Sequence, residues 1–312
     1  MTHAVSAHEP VLLNEVLEGL AIRSDGVYVD GTYGRGGHSA AILAALGPSG
    51  RLLALDKDPV AVRDGQERLQ RVDARFQIRH GGFEELRRHL EGWLGSRLVN
   101  GLLLDLGVSS PQLDEAERGF SFSKDGPLDM RLNPEEGRSA AEWLAQASVP
   151  ELARVLRRFG EEPRARAIAL AVERARRAAP IQTTGELAEI VSTVYGPAPS
   201  RRHPATRTFQ AIRIFLNGEL AALSSGLQQA MEMLTSGGRL CVISFHSLED
   251  RVVKRFIRDN AREDPVYRGL PRIPPEARAR LKPIGSQVRP GDAEVARNPR
   301  SRSAVLRIAE RL

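Results

Sequence analysis

The sequence predicts an α/β fold: a parallel sheet flanked by helices and interrupted by an all-helical insertion. Three observations carry this. Apolar strand-like runs alternate with helical patterns over the first hundred residues, and three of the four runs end in aspartate. From about Ser139 to Tyr195 only helical spacing is found.

Val27-Tyr28-Val29-Asp30 reads as the first strand, and Gly31-Thr32-Tyr33-Gly34-Arg35-Gly36-Gly37 as the turn into a helix from about His38 to Leu46. Arg51 to Asp56 is the second strand, with a helix over about Val60 to Leu69, and the third strand lies near Phe76 to Arg79. Gly101-Leu102-Leu103-Leu104-Asp105 is apolar on both faces, as a buried parallel strand should be. In the helical block Leu152, Val155, Leu156 and Phe159 fall at i, i+3, i+4 and i+7 behind Pro150. Leu187, Ile190, Val191 and Val194 repeat that spacing behind Thr183-Thr184-Gly185-Glu186, a capping-box signature. Gly196-Pro197-Ala198-Pro199-Ser200 closes the block. Helices are expected over about Ala205 to Asn217 and Leu220 to Leu234. Ser236-Gly237-Gly238 then turns into a strand from Arg239 to Phe245, and residues 278–284 and 303–309 form a closing antiparallel pair. The chain thus divides into a sheet domain, 1–112 with 205–312, and a helical domain, 113–204, with no internal repeat.

Composition narrows the function classes. At 41% hydrophobic and 27% charged over 312 residues, the chain has the material for a sizeable core. A single cysteine, Cys241, and seven scattered histidines argue against a disulfide scaffold and a structural zinc site. No run of about 18 apolar residues occurs and the N-terminus lacks a signal pattern, so a soluble cytoplasmic protein without a membrane span is expected. The net charge is +6, and only Lys57, Lys124, Lys254 and Lys282 among the 45 basic residues are lysines. Residues 251–312 carry a local excess of +9, which suggests a polyanionic partner; a coding bias toward arginine is the plainer alternative.

A glycine-rich turn between strand and helix lets backbone N–H groups approach a ligand closely. Here Gly34-Arg35-Gly36-Gly37-His38-Ser39 has serine where the dinucleotide fingerprint wants its last glycine, which argues against a dehydrogenase. The strand enters the turn through Asp30, a carboxylate suited to an ammonium group. Asp56 ends the next strand where a carboxylate accepts ribose hydroxyls. Together these favour S-adenosylmethionine, an adenosine with a cationic amino-acid tail and no phosphates; acidic strand ends that merely cap helices are the rival. Phe83 follows the third strand, placed to cover an adenine or to join the core. Asp105 at the fourth strand end faces the same cleft.

Several stretches resemble one family. They are His8-Glu9-Pro10-Val11-Leu12-Leu13, Asp30 to Ser39, Leu104 to Asp114, Arg118-Gly119-Phe120-Ser121-Phe122 and Gly126-Pro127-Leu128-Asp129-Met130-Arg131. His203 to Ala211, Ile243 to Asp250 and Asn298-Pro299-Arg300-Ser301-Arg302-Ser303 continue the match in register. They resemble RsmH (MraW), the bacterial methyltransferases of N4 of a cytidine in the decoding region of 16S ribosomal RNA. The resemblance implies a Rossmann-like class I S-adenosylmethionine-dependent methyltransferase sheet with an inserted helical substrate-recognition domain. It also implies cofactor contacts at Gly36, Gly37, His38, Asp56, Phe83, Asp105 and Gln112, of which His38 and Gln112 rest mainly on the resemblance. The implied partner is 16S rRNA within the small ribosomal subunit; whether the chain acts alone or as a homodimer stays open.

Cytosine N4 is a poor nucleophile, so an acceptor for one of its hydrogens is needed, and Asp105 is the catalytic candidate; a purely cofactor-binding role is its rival. His246 with Glu249 and Asp250 reads either as a substrate-facing cluster or, more simply, as a helix start with acidic first-turn residues. Arg154, Arg157, Arg158, Arg164 and Arg166 of the insertion, with Arg297, Arg300 and Arg302 of the tail, are candidate phosphate contacts. Two other functions compete: a noncatalytic RNA-binding or ribosome-assembly factor retaining a cofactor pocket, and an amino-methyltransferase acting on DNA.

Overall fold

A computed structural model of the chain describes residues 10–94, 97–197, 203–263, 265–267, 274 and 277–312. His8 and Glu9 of the first motif and Ala198 to Ser200 of the breaker lie outside the described residues. The chain forms two compact units, Met1–Gly107 with Leu220–Leu312, and Val108–Glu219.

The first unit runs α1 (Leu13–Leu20), β1 (Val27–Asp30), α2 (Gly37–Ala45), β2 (Arg51–Asp56), α3 (Pro59–Gly65), β3 (Phe76–His80), α4 (Leu86–Leu94) and β4 (Val99–Asp105). The second holds α5 (Ser110–Asp114), α6 (Ala140–Gln146), α7 (Val149–Gly160), α8 (Ala165–Ala178), α9 (Thr184–Tyr195) and α10 (Thr206–Leu216). The chain then returns through α11 (Glu219–Met233), β5 (Leu234–Ser244), α12 (Ser247–Asn260), β6 (Leu281–Pro283), α13 (Asp292–Arg297) and β7 (Val305–Arg311).

The seven strands are ordered β3-β2-β1-β4-β5-β7-β6. The first five are parallel; β7 is antiparallel to β5 and β6 to β7, the closing pair expected from the sequence. This is the Rossmann-like α/β sheet. Its strands bury both faces by period-two alternation. Leu52 and Ala54 join Val16, Ile42, Leu103 and Ile243 in one core cluster, while Leu53 and Leu55 join Leu86, Leu102, Leu104 and Leu227 in another. Strand order reverses between β1 and its neighbours β2 and β4, and such a switch point opens a crevice at the strands' carboxyl ends.

Register sets what lines that crevice. Asp30 pairs with Ala54 on β2 and with Leu103 on β4. Both neighbours run two residues further before ending, so Asp56 and Asp105 flank the loop that leaves β1. β5 differs from expectation: it begins at Leu234, opposite Val99, and Ser236-Gly237-Gly238 bulges out before pairing resumes at Gly101↔Arg239. Gly237 takes φ +77, the conformation the bulge requires. No helix among the described residues is long and apolar enough to cross a membrane.

The helical unit packs around Trp143, Ile168 and Val172 together with Leu152, Val155, Leu156, Leu187 and Val191 of the two stripes read from the sequence, whose Phe159, Ile190 and Val194 are partly buried against it. The capping box at α9 forms as expected, with Glu186 N–H donating to Thr183 Oγ1 at 3.3 Å and Thr183 N–H to Glu186 Oε2 at 3.0 Å. The expected limits, 113–204, are too narrow. α10 belongs with this unit because Phe209, Ala211 and Ile212 complete its core, and Gly160 of α7 lies against the Arg207 carbonyl.

Candidate cofactor and catalytic site

The loop after β1 is held from both sides. Asp30, 1% exposed, accepts from Thr32 N–H at 3.1 Å through Oδ1 and from Ser39 Oγ–H at 2.7 Å through Oδ2. Both oxygens of Asp30 thus have a partner within its own loop and helix, and the carboxylate is buried beneath the turn. Burial raises its pKa. Thr32 passes the restraint on, its Oγ1 accepting from Asp105 N–H at 2.7 Å. Loop, helix α2 and the end of β4 are one hydrogen-bonded assembly.

Gly34 and Gly36 have φ of +55 and +70. Gly34 N–H donates to Asp56 Oδ2 at 2.7 Å, and Asp58 N–H donates to Oδ1 at 2.8 Å. A Cβ on Gly36 would stand 2.5 Å from the Tyr33 ring, and one on Gly37 2.4 Å from Pro10. Glycine is required at these positions because the left-handed turn into α2 packs closely against Tyr33 and Pro10. Each Asp56 oxygen keeps one lone pair free beyond its backbone partner, so the carboxylate can still take hydroxyl donors. Burial pushes the Asp56 pKa up to about 6.

His38, 6% exposed, lies in the first turn of α2. Its Nε2 is 3.0 Å from the Val11 carbonyl and its Nδ1 is 3.5 Å from Asp105 Oδ2. A carbonyl only accepts, so Nε2 carries the proton and Nδ1 is turned to Asp105. Behind this pair Leu12 N–H donates to Glu294 Oε1 at 2.9 Å, tying α13 to the segment that orients the imidazole.

Asp105 Oδ1 is buried with no hydrogen-bond partner among the described residues. Burial first, then Asp30 and then Glu249, hold the Asp105 pKa well above the ordinary carboxylate range. A buried carboxyl with an unpartnered oxygen beside two other acids calls for a cation or a hydrogen-bond donor. The group thus fits a sulfonium- and ammonium-bearing cofactor, and equally an amino group about to lose a proton.

Phe83 starts the turn after β3 and is half-buried. It packs against Gly226 of α11, where a Cβ would stand 2.5 Å from its ring, and near Gly31 of the loop after β1. It therefore packs against the core while remaining only half-buried. Gln112 belongs to the helical unit. It is buried in α5, where its Oε1 accepts from Ser109 N–H at 2.9 Å as half of a capping box. Gly36, Gly37, His38, Asp56, Phe83 and Asp105 all lie in the sheet unit, at the ends of β1 to β4.

His246 resolves as a helix start: it is the N-cap of α12, its Nδ1 accepting from Glu249 N–H at 3.3 Å while Glu249 Oε2 accepts from His246 N–H at 3.2 Å. Arg164 donates to the Val194 carbonyl at 2.7 Å and stacks over Tyr195, so it is a structural arginine. Arg297, Arg300 and Arg302 are exposed. Sequence reasoning missed Thr32, Ser39, Val11 and Glu294. Thr32 and Ser39 stood inside the quoted loop, but the Val11 contribution is a main-chain carbonyl and leaves no side-chain signal.

Comparison with known proteins agrees over the whole length. The family model described as the MraW methylase family matches residues 5–312. A relative named ribosomal RNA small subunit methyltransferase H from Coxiella burnetii is 56% identical over 310 residues, covering 99% of this chain and 100% of its own. One of the same name from Nitrosomonas europaea is 54% identical over 312 residues, covering 98% and 97%. Among solved structures, an rRNA methylase from Streptococcus thermophilus aligns with a TM-score of 0.45 at 12% identity, covering 98% of this chain and 99% of that one.

Proposed function

The chain belongs to the MraW methylase family, and from that membership we infer that it methylates the exocyclic N4 of a cytidine in the decoding region of 16S ribosomal RNA. It is an S-adenosylmethionine-dependent rRNA methyltransferase. The observation that carries the reading is the family match over residues 5–312, which includes the loop and strand ends that converge on Asp105.

S-adenosylmethionine, when bound, supplies an electrophilic methyl group that leaves as its carbon–sulfur bond breaks. The residues of the chain bind, orient and move the proton. Gly36 and Gly37 shape the turn at the cofactor's place, Asp56 offers its remaining lone pairs to ribose hydroxyls, and Phe83 is the candidate cover for adenine. Gln112 joins the cofactor contacts on the family resemblance. The N4 lone pair is delocalised into the cytosine ring, so the nitrogen becomes nucleophilic only as an N–H is drawn away. The Asp105 carboxylate is the acceptor, with its pKa raised toward that of a working base. Cys241 takes no part: it is buried in β5, and burial pushes its thiol up to about 12.

The helical unit is the RNA-recognition part of this scheme, and the target base must be single-stranded or drawn from its stack to be methylated. Small ribosomal subunits in the cytoplasm are the proposed setting. The test is methyl transfer to small subunits lacking the modification, with nucleosides then identified by mass spectrometry. N4-methylcytidine that depends on S-adenosylmethionine is expected; methyl on another atom would break the assignment.

A further inference from the structure

We propose that an arginine-ringed cleft on the helical unit is a docking site for the phosphodiester backbone of the RNA substrate; this rests on the rRNA reading above. The cleft has a volume of about 510 Å³. Arg154, Arg157 and Arg158 of α7 and Arg166 of α8 surround it, over a floor that includes Pro150 and Ala153.

Three features set these arginines apart from ordinary surface charge. First, Arg154, Arg157 and Arg158 sit at i, i+3 and i+4, so three like charges share one helix face, an arrangement that disfavours the helix. Second, the helix dipoles explain only half of the set. Arg157 and Arg158 lie in the last turn of α7, where a cation is welcome. Arg154 lies a turn earlier, and Arg166 in the first turn of α8, the end that repels positive charge. Third, none of the four makes a hydrogen bond or ion pair among the described residues; only Arg158 has a ring beneath it, Phe159 at 5.3 Å. Elsewhere in the unit Arg131, Arg176 and Arg213 are neutralised by Asp129, Glu173 and Glu219; Arg138, Arg174 and Arg207 also lack an ion pair among the described residues but do not line the cleft. The acids flanking the cleft are committed inward: Glu151 accepts from the Trp143 indole, and Glu162 from Tyr195 and the Arg164 backbone.

Four unpaired guanidinium groups around one cleft match a ligand with several anionic oxygens in succession. Guanidinium forks bind phosphodiester oxygens in pairs, and the proline and alanine floor accepts the face of a ribose or base. A lone phosphate ion would leave most of the volume unfilled. An RNA strand supplies both the repeated charge and the apolar faces.

The test uses the full chain and a fluorescein-labelled single-stranded RNA of decoding-region sequence, bound across a salt series. The variant R154Q/R157Q/R158Q/R166Q is compared with R51Q/R63Q/R71Q/R97Q, which removes equal charge from exposed positions of the sheet unit. In the cleft variant the slope of log affinity against log salt should flatten by about 2–3, with Kd rising roughly tenfold or more. The KM for RNA should rise while kcat and S-adenosylmethionine affinity hold. Lysine at the four positions should restore the slope. Equal RNA binding by the two glutamine variants would overturn the proposal. That result alongside normal N4 methylation by the unaltered chain would leave the rRNA reading intact. Selective loss of RNA binding in a chain that methylates another atom would do the reverse.

Discussion

Asp105 Oδ2 stands 3.5 Å from His38 Nδ1, and the opposite nitrogen of that ring is 3.0 Å from the Val11 carbonyl. The carbonyl fixes the proton on Nε2, so Nδ1 faces Asp105 as an acceptor and a hydrogen bond between them needs the proton on the acid, in keeping with the raised Asp105 pKa.

Asp105→Asn should lower kcat for methyl transfer by about 10²–10⁴-fold, the range for loss of a general base. S-adenosylmethionine affinity should change far less. Single-turnover transfer and calorimetric binding on the same preparation separate the two; normal turnover with weakened cofactor binding would reduce Asp105 to a cofactor ligand.

The same substitution should stabilise the unliganded protein at neutral pH. The Asp105 pKa is held well above 3.8 when folded, so the folded chain keeps this proton where the unfolded chain loses it. The contribution of Asp105 is thus most favourable below 3.8 and declines as pH rises toward and through its folded value. Urea unfolding of both proteins from pH 4 to pH 8 should show the asparagine variant gaining on the parent as pH rises. A constant difference would mean that Asp105 is not strained.

Cofactor affinity should rise between about pH 5 and pH 7. The Asp56 pKa is raised to about 6 and that of Asp105 is raised as well, and a cationic ligand favours their ionised forms, so binding releases protons. S-adenosylhomocysteine, which lacks the sulfonium charge, should show a weaker dependence. Calorimetry in buffers of different ionisation enthalpy counts the protons, and equal counts for the two ligands would contradict the account.

Gly36→Ala should destabilise by about 2 kcal/mol or more and weaken cofactor binding, because φ +70 and the Tyr33 ring both oppose a Cβ. Gly285→Ala, at φ +65 with nothing within 4 Å, carries the backbone strain alone and should cost about 1 kcal/mol. Thermal unfolding of the pair isolates the contribution of the ring.

Gly160→Ala should destabilise by about 1–3 kcal/mol. Its Cβ would stand 2.5 Å from the Arg207 carbonyl, forcing α7 and α10 apart. Denaturant melts should register it; an unchanged midpoint would show that the helices separate freely.

The strand ends were legible because period-two burial and a terminal aspartate are both written in side chains: β1, β2 and β4 end at Asp30, Asp56 and Asp105, as read. The Thr183 capping box was legible because it is local. The inward use of Asp30 was not, since it depends on whether Ser39 Oγ reaches the carboxylate before a ligand does. Nor was the allegiance of α10, since an apolar face does not name its partner; Phe209, Ala211 and Ile212 join the helical core, with α10 backbone close to Gly160. The β5 bulge is a two-strand property, invisible when Ser236-Gly237-Gly238 is read as one turn.

The bulged pairing of β4 with β5 also bears on how the chain is made. Gly101 pairs with Arg239, which leaves the ribosome 138 residues later. At about 5–20 residues per second, β4 waits on the order of ten seconds as an unpaired, apolar edge. The intervening helical unit is contiguous in sequence and rich in local contacts, so it can fold within that interval and replace a long floppy loop by a compact one. Vectorial synthesis therefore orders assembly: β1 to β4 first, the helices second, and the sheet completed only when β5, β6 and β7 emerge.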